Sequence, residues 1–174
     1  MAPSAEAERI HGERVVLRPV VADDLPWLRI AAADPSVAEH WDQGDGVSWI
    51  DDVLDDDEVV PYVVELDGRP IGYAQWGEED DPAYRSASID LFLVAHAQGG
   101  GHGRDVVRTL AAWLIAERGH RRIEIDPAAH NTRAVRCYES VGFCPIGVAR
   151  RRERATDGTW HDSLLMDLLA DELR

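Results

Sequence analysis

Hydrophobic and polar positions change their spacing several times along the chain, and each change marks an element. Arg14 to Pro19 (RVVLRP) is a short apolar run that predicts a strand. LPWLRIAAA then spaces its apolar residues as a helix does; Asp23 or Asp24 can cap it, and Pro26 is tolerated in its first turn. Pro35 interrupts the pattern, a second helical stretch follows, and SWIDDVLDDD (48–57) predicts another turn or two. From Val59 the period shortens. VVPYVVEL and RPIGYAQWG are β-rich runs joined by Asp67-Gly68, a pair whose tolerance of positive φ favours a tight hairpin. An acidic loop, EEDDPAYRS, precedes a strand at SIDLFLV (88–94). After the glycine-rich QGGGHG (98–103), Val106, Val107, Leu110, Trp113 and Leu114 recur at three- and four-residue spacing, the mark of an amphipathic helix, with Gly119 suited to its C-terminal cap. RRIEID predicts a strand and NTRAVRCYESVGF a short helix closed by Gly142. Two strands joined by Thr156-Asp157-Gly158 end the sequence.

The order is strand, helices, three strands, helix, strand, helix, two strands, which predicts an α+β domain with helices on the faces of a mixed sheet. No internal repeat or linker divides it. Residues 1–12 are polar and read as a flexible N-terminus, and 13–174 as a single domain. At 174 residues and 45% hydrophobic composition the chain can bury a real core.

Charge narrows the partners. The 18 Lys and Arg stand against 33 Asp and Glu, a net charge of -15. Such a surface repels phosphate backbones and anionic lipid, so neither nucleic acid nor membrane is expected as a partner, whereas a cationic ligand would be drawn in. Acidity also serves solubility. Cys137 and Cys144 are the only cysteines and form no CxxC or Cys/His cluster, and the seven histidines lack zinc-ligand spacing, so no metal is expected. The first residues lack a secretory pattern and no apolar run approaches the roughly 20 residues of a membrane span. A cytoplasmic location with reduced thiols is the expectation.

The sharpest chemical feature is Gln98-Gly99-Gly100-Gly101-His102-Gly103-Arg104, set between a strand and a helix. Glycines let backbone approach a ligand closely, and a helix start offers unpaired N–H groups and a positive dipole end, which together suit a pyrophosphate. The alternative is a flexible turn. Neither GxxxxGK[ST] nor a full GxGxxG with its acidic ribose partner is present.

Q-x-x-G-x-G in this setting resembles the coenzyme A pyrophosphate loop of the GNAT acyltransferases. Asn131, Ala134, Tyr138, Gly142 and Phe143 fall on that family's N-x-x-A-x-x-x-Y-x-x-x-G-F signature. Within the family, PYVVELDGRPIGYAQ (61–75), Ile125-Asp126-Pro127 and the stretch from Asn131 to Glu139 are similar to segments of aminoglycoside 6′-N-acetyltransferases. The resemblance implies a GNAT fold, a mixed and mostly antiparallel seven-stranded sheet flanked by about four helices. It implies acetyl-coenzyme A as co-substrate, and as acceptor a small polycationic amine, with the protein a monomer or homodimer.

It also implies roles for residues. Asp90 would take a proton from the acceptor ammonium, help typically worth about 10²–10⁴ in rate; the alternative is a strand-end carboxylate that only binds cation. Tyr138 would protonate the departing thiolate; the alternative is a packed aromatic. Backbone N–H groups near Leu91, Phe92 and Leu93 would stabilise the oxyanion, and that strand and Asn131, with Ala134 beside it, would hold the pantetheine arm. Residues 98–104 would hold the pyrophosphate. Carboxylates for a polycation would come from Asp126, which ends a strand beside the expected cleft, and from Glu78, Glu79, Asp80 and Asp157; the acidic loop alternatively is a solvated charge run. Trp41 resembles a substrate-flanking tryptophan, while Trp49 and Trp76 offer either sugar-stacking walls or core packing. Arg150, Arg151, Arg152 and Arg154 are expected to pair with local acids. A sister enzyme acting on another amine, such as a siderophore precursor or a protein N-terminus, and a non-catalytic coenzyme A- or drug-binding module are the competing readings.

Overall fold

Tyr62, Val63 and Val64 are consecutive, apolar and fully buried, because helices cover both faces of the strand that carries them. The computed structural model describes residues 8–41, 47–155 and 157–174; the first seven residues of the expected flexible N-terminus, and Thr156 of the last turn, lie outside these. Eight strands form one sheet: β1 (Ile10–His11), β2 (Val15–Pro19), β3 (Val59–Leu66), β4 (Arg69–Glu79), β5 (Ser86–Leu93), β6 (Arg122–Ile125), β7 (Cys144–Arg154) and β8 (Trp160–Leu169). The helices are α1 (Leu25–Ala32), α2 (Pro35–Ala38), α3 (Trp49–Asp52), α4 (His102–Ala116) and α5 (Thr132–Val141). Spatial order is β1-β2-β3-β4-β5-β6-β8-β7. Neighbours run antiparallel except β5 and β6, which are parallel and joined through α4.

The count of eight corrects the expected seven. The additional strand is β1, where a flexible start was expected: Ile10 pairs with Leu17 and is buried. What ties it down is Asp105 in the first turn of α4. Its carboxylate accepts from the backbone N–H groups of Glu13, Arg14 and Val15 at 3.0, 2.7 and 3.0 Å. Burial alone would raise this carboxyl's pKa, but the three N–H donors outweigh it and hold the group below its usual range.

Two cores result. Val64, Ala74, Trp76 and Ile89 pack with Val106, Leu110 and Leu114 of α4 on one face. Val63, Tyr73 and Phe92 pack with Leu28 of α1, Val37 of α2 and Ile50 of α3 on the other. The Asp67-Gly68 hairpin joins β3 and β4 as expected. Asp24 does precede α1, but its side chain does not cap it; it takes a two-pronged bond from Arg18 at 2.8 Å, because a fixed guanidinium fork is the stronger donor. Asp34 does cap its helix, accepting from the Ser36 N–H. Beyond β8 lies the open edge of the sheet, β7, exposed along most of its length and broken by register shifts at Pro145/Gly147 and Ala149/Glu153.

Gly142 ends α5 at φ +122°, and a Cβ there would stand 2.3 Å from the Glu172 carbonyl oxygen. Gly147, on the open edge, has nothing within 4 Å of a Cβ. Gly142→Ala is expected to lower unfolding stability by about 2–4 kcal/mol and Gly147→Ala by less than about 1 kcal/mol, measured by chemical denaturation.

Candidate active site

β5 and β6 stay in register only at Ala87–Ile123 and Ser88–Glu124. Beyond that point β5 runs on to Leu93 while β6 ends at Ile125, so the two strands part. A cleft of about 940 Å³ fills the space between them. Asp90, Leu91, Phe92 and Leu93 form one wall; Asp126 and the start of α5 form the other. Past the register, the β6-facing backbone groups of β5 have no strand partner and are available to a ligand.

Asp90 sits in this wall, paired in register with Gln75 of β4. Its carboxylate accepts from the Gln75 amide at 3.4 Å, and the Gln75 amide oxygen in turn accepts from the Tyr73 hydroxyl at 2.7 Å. Tyr73 and Gln75 share a strand face at two-residue spacing, so the tyrosine fixes which way the amide points. Burial pushes the Asp90 carboxyl up to about 6, Asp126 adds to the rise, and Gln75 and Arg152 oppose it. Tyr138 of α5 lines the same cleft and is 8% exposed. Burial, then Cys137, Asp90 and Asp126, raise its phenol pKa well above the ordinary value. Among the described residues nothing hydrogen-bonds its hydroxyl.

The glycine turn faces the far end of the cleft. Gly99 and Gly101 take φ of +79° and +82°, and a Cβ on either would meet open space. With Gly103, Arg104 and Gln98 they line the cleft. Gln98 donates to the Leu93 carbonyl at 2.7 Å and so braces the end of β5. Gly100 and His102 are turned away. The Gly100 carbonyl accepts from Arg14, and the buried His102 ring packs against Gly100. Asn131 lines the cleft, but its amide oxygen caps α5 by accepting from the Ala134 N–H at 3.1 Å, which leaves its NH₂ for a ligand. Ala134 lies beside it. Among the described residues no group of three or more His, Cys, Asp or Glu is placed to hold a metal ion.

On the acceptor side Trp41 borders the cleft, its ring 5.2 Å from Phe92 and 5.7 Å from Tyr73. Trp49 packs into the same cluster, and Trp76 lies in the core under α4. Asp126 is in place, ion-paired with Arg152 at 2.6 Å. The acidic loop is not part of the cleft. Glu78 lies on β4 opposite Ala87, on the far side of the point where the strands part. There it binds Arg118 at 2.8 Å and the buried His120 at 2.9 Å, the work of a structural counter-ion. Glu79 does not line the cleft either; it accepts from the Asp81 N–H in its own turn. Asp157 caps the final hairpin through the Thr159 N–H and hydroxyl and is also outside the cleft lining.

Sequence reasoning missed Gln75 and Tyr73 as side chains of the site, although i, i+2 spacing opposite Asp90 was visible once β4 and β5 were aligned. It also missed that Arg133, Arg136, Arg152, Arg154 and Trp160 face the cleft; an exposed basic run gives no hint of which member turns inward.

A splayed parallel pair, a helix-start glycine turn on one side and a half-buried carboxylate sharing the cleft with a phenol on the other define an acyl-coenzyme A transferase architecture. Residues 20–150 match a family described as an acetyltransferase (GNAT) domain, and the chain belongs to that family. Aminoglycoside N(6')-acetyltransferase type 1 of Klebsiella pneumoniae, and that of Serratia marcescens, are 36% identical over 131 residues, 68% of this chain and 62% of theirs. The match thus spans less than two thirds of those relatives' length. The structure of AAC(6')-Ib in complex with ribostamycin and coenzyme A aligns with a TM-score of 0.75 at 29% identity, over 92% of this chain and 96% of that one. Mycobacterium smegmatis RimJ in complex with CoA-disulfide aligns at 0.83 and 27% identity, over 95% and 89%.

Because the folded Asp90 pKa lies above that of an unfolded aspartate, near 3.9, the stability this group contributes is fully present below about pH 4 and is lost as pH rises through about 6. Asp90→Asn is therefore expected to be more stable than the wild type at pH 8, by on the order of 1–2 kcal/mol. The gain should vanish by about pH 4; denaturation curves across that range measure it. Gly101→Glu places bulk and negative charge in the open space before the turn and should abolish coenzyme A binding by calorimetry.

Proposed function

We propose that the protein transfers an acetyl group from acetyl-coenzyme A to a primary amine of an aminoglycoside, the 6′-amine, and thereby confers resistance to such drugs. The observation that carries this reading is Asp90: a carboxylate pushed up to about 6, held by Gln75 at the point where the sheet opens and sharing the cleft with an unbonded phenol. The likeness to enzymes named for aminoglycoside 6′-acetylation supports the choice of acceptor. We place the reaction in the cytoplasm: both cysteines are free, and among the described residues no helix is long and apolar enough to cross a membrane.

The cleft fits the co-substrate. Gly99, Gly101 and Gly103 offer backbone at the start of α4 to the pyrophosphate, with Arg104 and Arg136 as nearby cations. The unpartnered side of β5 and the Asn131 NH₂ suit the amide groups of the pantetheine arm. When bound, acetyl-coenzyme A supplies an activated acyl group and a thiolate leaving group. Asp90 accepts the proton that an ammonium must lose before its nitrogen can attack; it is ionised above about pH 6 and so ready at neutral pH. β5 N–H groups stabilise charge that develops on the carbonyl oxygen. Tyr138, whose phenol keeps its proton at neutral pH, gives that proton to the leaving sulfur.

Thiol release on mixing the protein with acetyl-coenzyme A and kanamycin or ribostamycin tests the assignment, and no release across a panel of drugs with a free 6′-amine would sink it. The acid limb of the rate should lie near pH 6 and rise with pH. Asp90→Asn should lower kcat by about 10²–10⁴. Tyr138→Phe should slow the single-turnover step while leaving the coenzyme's Kd unchanged.

A further inference from the structure

The lining of the cleft conflicts with a polycationic acceptor. Arg152 occupies Asp126, the carboxylate best placed to receive an acceptor ammonium, at 2.6 Å. Arg154 stands in the same wall. A guanidinium there both neutralises the carboxylate and repels an incoming cation.

The backbone shows that this placement is built. β7 and β8 are in register at Ala149–Ser163 and again at Glu153–His161, so β7 carries two more residues than its partner across that span. Arg151, within the bulge, takes φ +52°, a left-handed conformation costly for a side chain of its size. Asp162 of β8 holds it there, accepting from the Arg151 N–H at 2.7 Å. The same residue's carbonyl accepts from the Ala129 N–H at 2.8 Å, tying the bulge to the loop that carries Asp126. The bulge therefore sets Arg152 over the cleft instead of along the open edge, and bulges beside active sites re-aim side chains in this way. The pair is only partly shielded: Arg152 is 54% and Asp126 32% exposed. A half-exposed ion pair is weak enough to exchange partners.

Resting on the acetyltransferase reading, we propose that Arg152 is a resident counter-ion on the acceptor's ammonium subsite, displaced from Asp126 when the acceptor binds, and that this exchange sets acceptor affinity. Displacing Arg152 costs every acceptor the same ion pair, so Arg152 lowers affinity across the board, and a polycation offsets that cost through its other ammonium groups.

The test is calorimetric titration of kanamycin, and of a monoamine such as cyclohexylamine, into the coenzyme A complex. Wild type, Arg152→Gln, Arg152→Lys, Asp126→Asn and the Asp126→Asn/Arg152→Gln double variant are compared. Arg152→Gln should tighten kanamycin binding about two- to fivefold, the scale of a partly exposed ion pair, and should tighten monoamine binding by a similar factor. Arg152→Lys should behave as wild type. Asp126→Asn should weaken binding, and in its background Arg152→Gln should add nothing. Free-protein thermal unfolding controls for folding, and coenzyme A affinity should stay constant across the series. Unchanged or weaker kanamycin binding in Arg152→Gln overturns the proposal; weaker binding would make Arg152 a direct ligand for an anionic or carbonyl group of the acceptor. No kanamycin binding by either protein also overturns it. Binding is read without turnover, so a wild type that binds kanamycin but releases no thiol defeats the proposed reaction and leaves this inference standing.

Discussion

Everything at the cleft depends on where two parallel strands stop pairing. β5 and β6 keep their register for two residue pairs and then separate. In a sheet that separation is costly, because it strands N–H and C=O groups that water or a ligand must satisfy. Here it opens the molecule from one helical layer to the other. Asp90 and Phe92 share the face covered by α1 to α3, while Tyr138 belongs to the core under α4. Only a gap in the sheet lets groups from opposite layers meet across one cavity. α4, which joins the two strands, also begins at the gap and brings the glycine turn with it.

The electrostatics of the gap follow from its depth. Asp90 is held partly away from water and near Asp126, and both effects oppose its ionisation. A carboxylate placed for stability would resemble Asp105 or Asp24, ringed by donors and held below its usual pKa. Asp90 has one weak donor instead. The contrast between these aspartates within one domain separates a group that holds the fold from one whose charge is left available for chemistry.

Much of this was legible in the sequence because it depends on local rules. The Asp67-Gly68 hairpin, the amphipathic α4, the Gly142 stop and the glycine-rich turn before α4 each follow from a few neighbouring residues. Asp90 is legible in another way, through the family resemblance that places an acidic residue in the strand leading into that turn. The parts that were not legible depend on distant partners. β1 forms because Asp105, some 90 residues later, satisfies the backbone beside it. Glu78 looked like a ligand for cations and is one, but the cation is Arg118 of the same chain. Of the basic run in β7 expected to pair with acids, Arg152 does so with Asp126, an acid whose choice depended on a bulge that residue types do not announce. Within the QGGGHG turn, which glycines face the cleft and which back the loop is likewise fixed by Arg14 and His102, not by the motif.

The outer strand has a consequence for the protein in a crowded cell. β7 ends the sheet with Ile146 and Val148 more than half exposed, and a flat edge of that kind would recruit further strands into lateral assemblies. Two register breaks interrupt its hydrogen-bonding template, and the exposed Arg150 and Arg151 follow the apolar residues along it. Like charges opposed across a shared edge repel, so a second copy meets an irregular, cationic rail instead of a ready-made ladder. The irregularity that aims one arginine into the cleft thus also acts as a gatekeeper against aggregation, and a repair of the bulge to regular β-structure would alter ligand recognition and colloidal behaviour together.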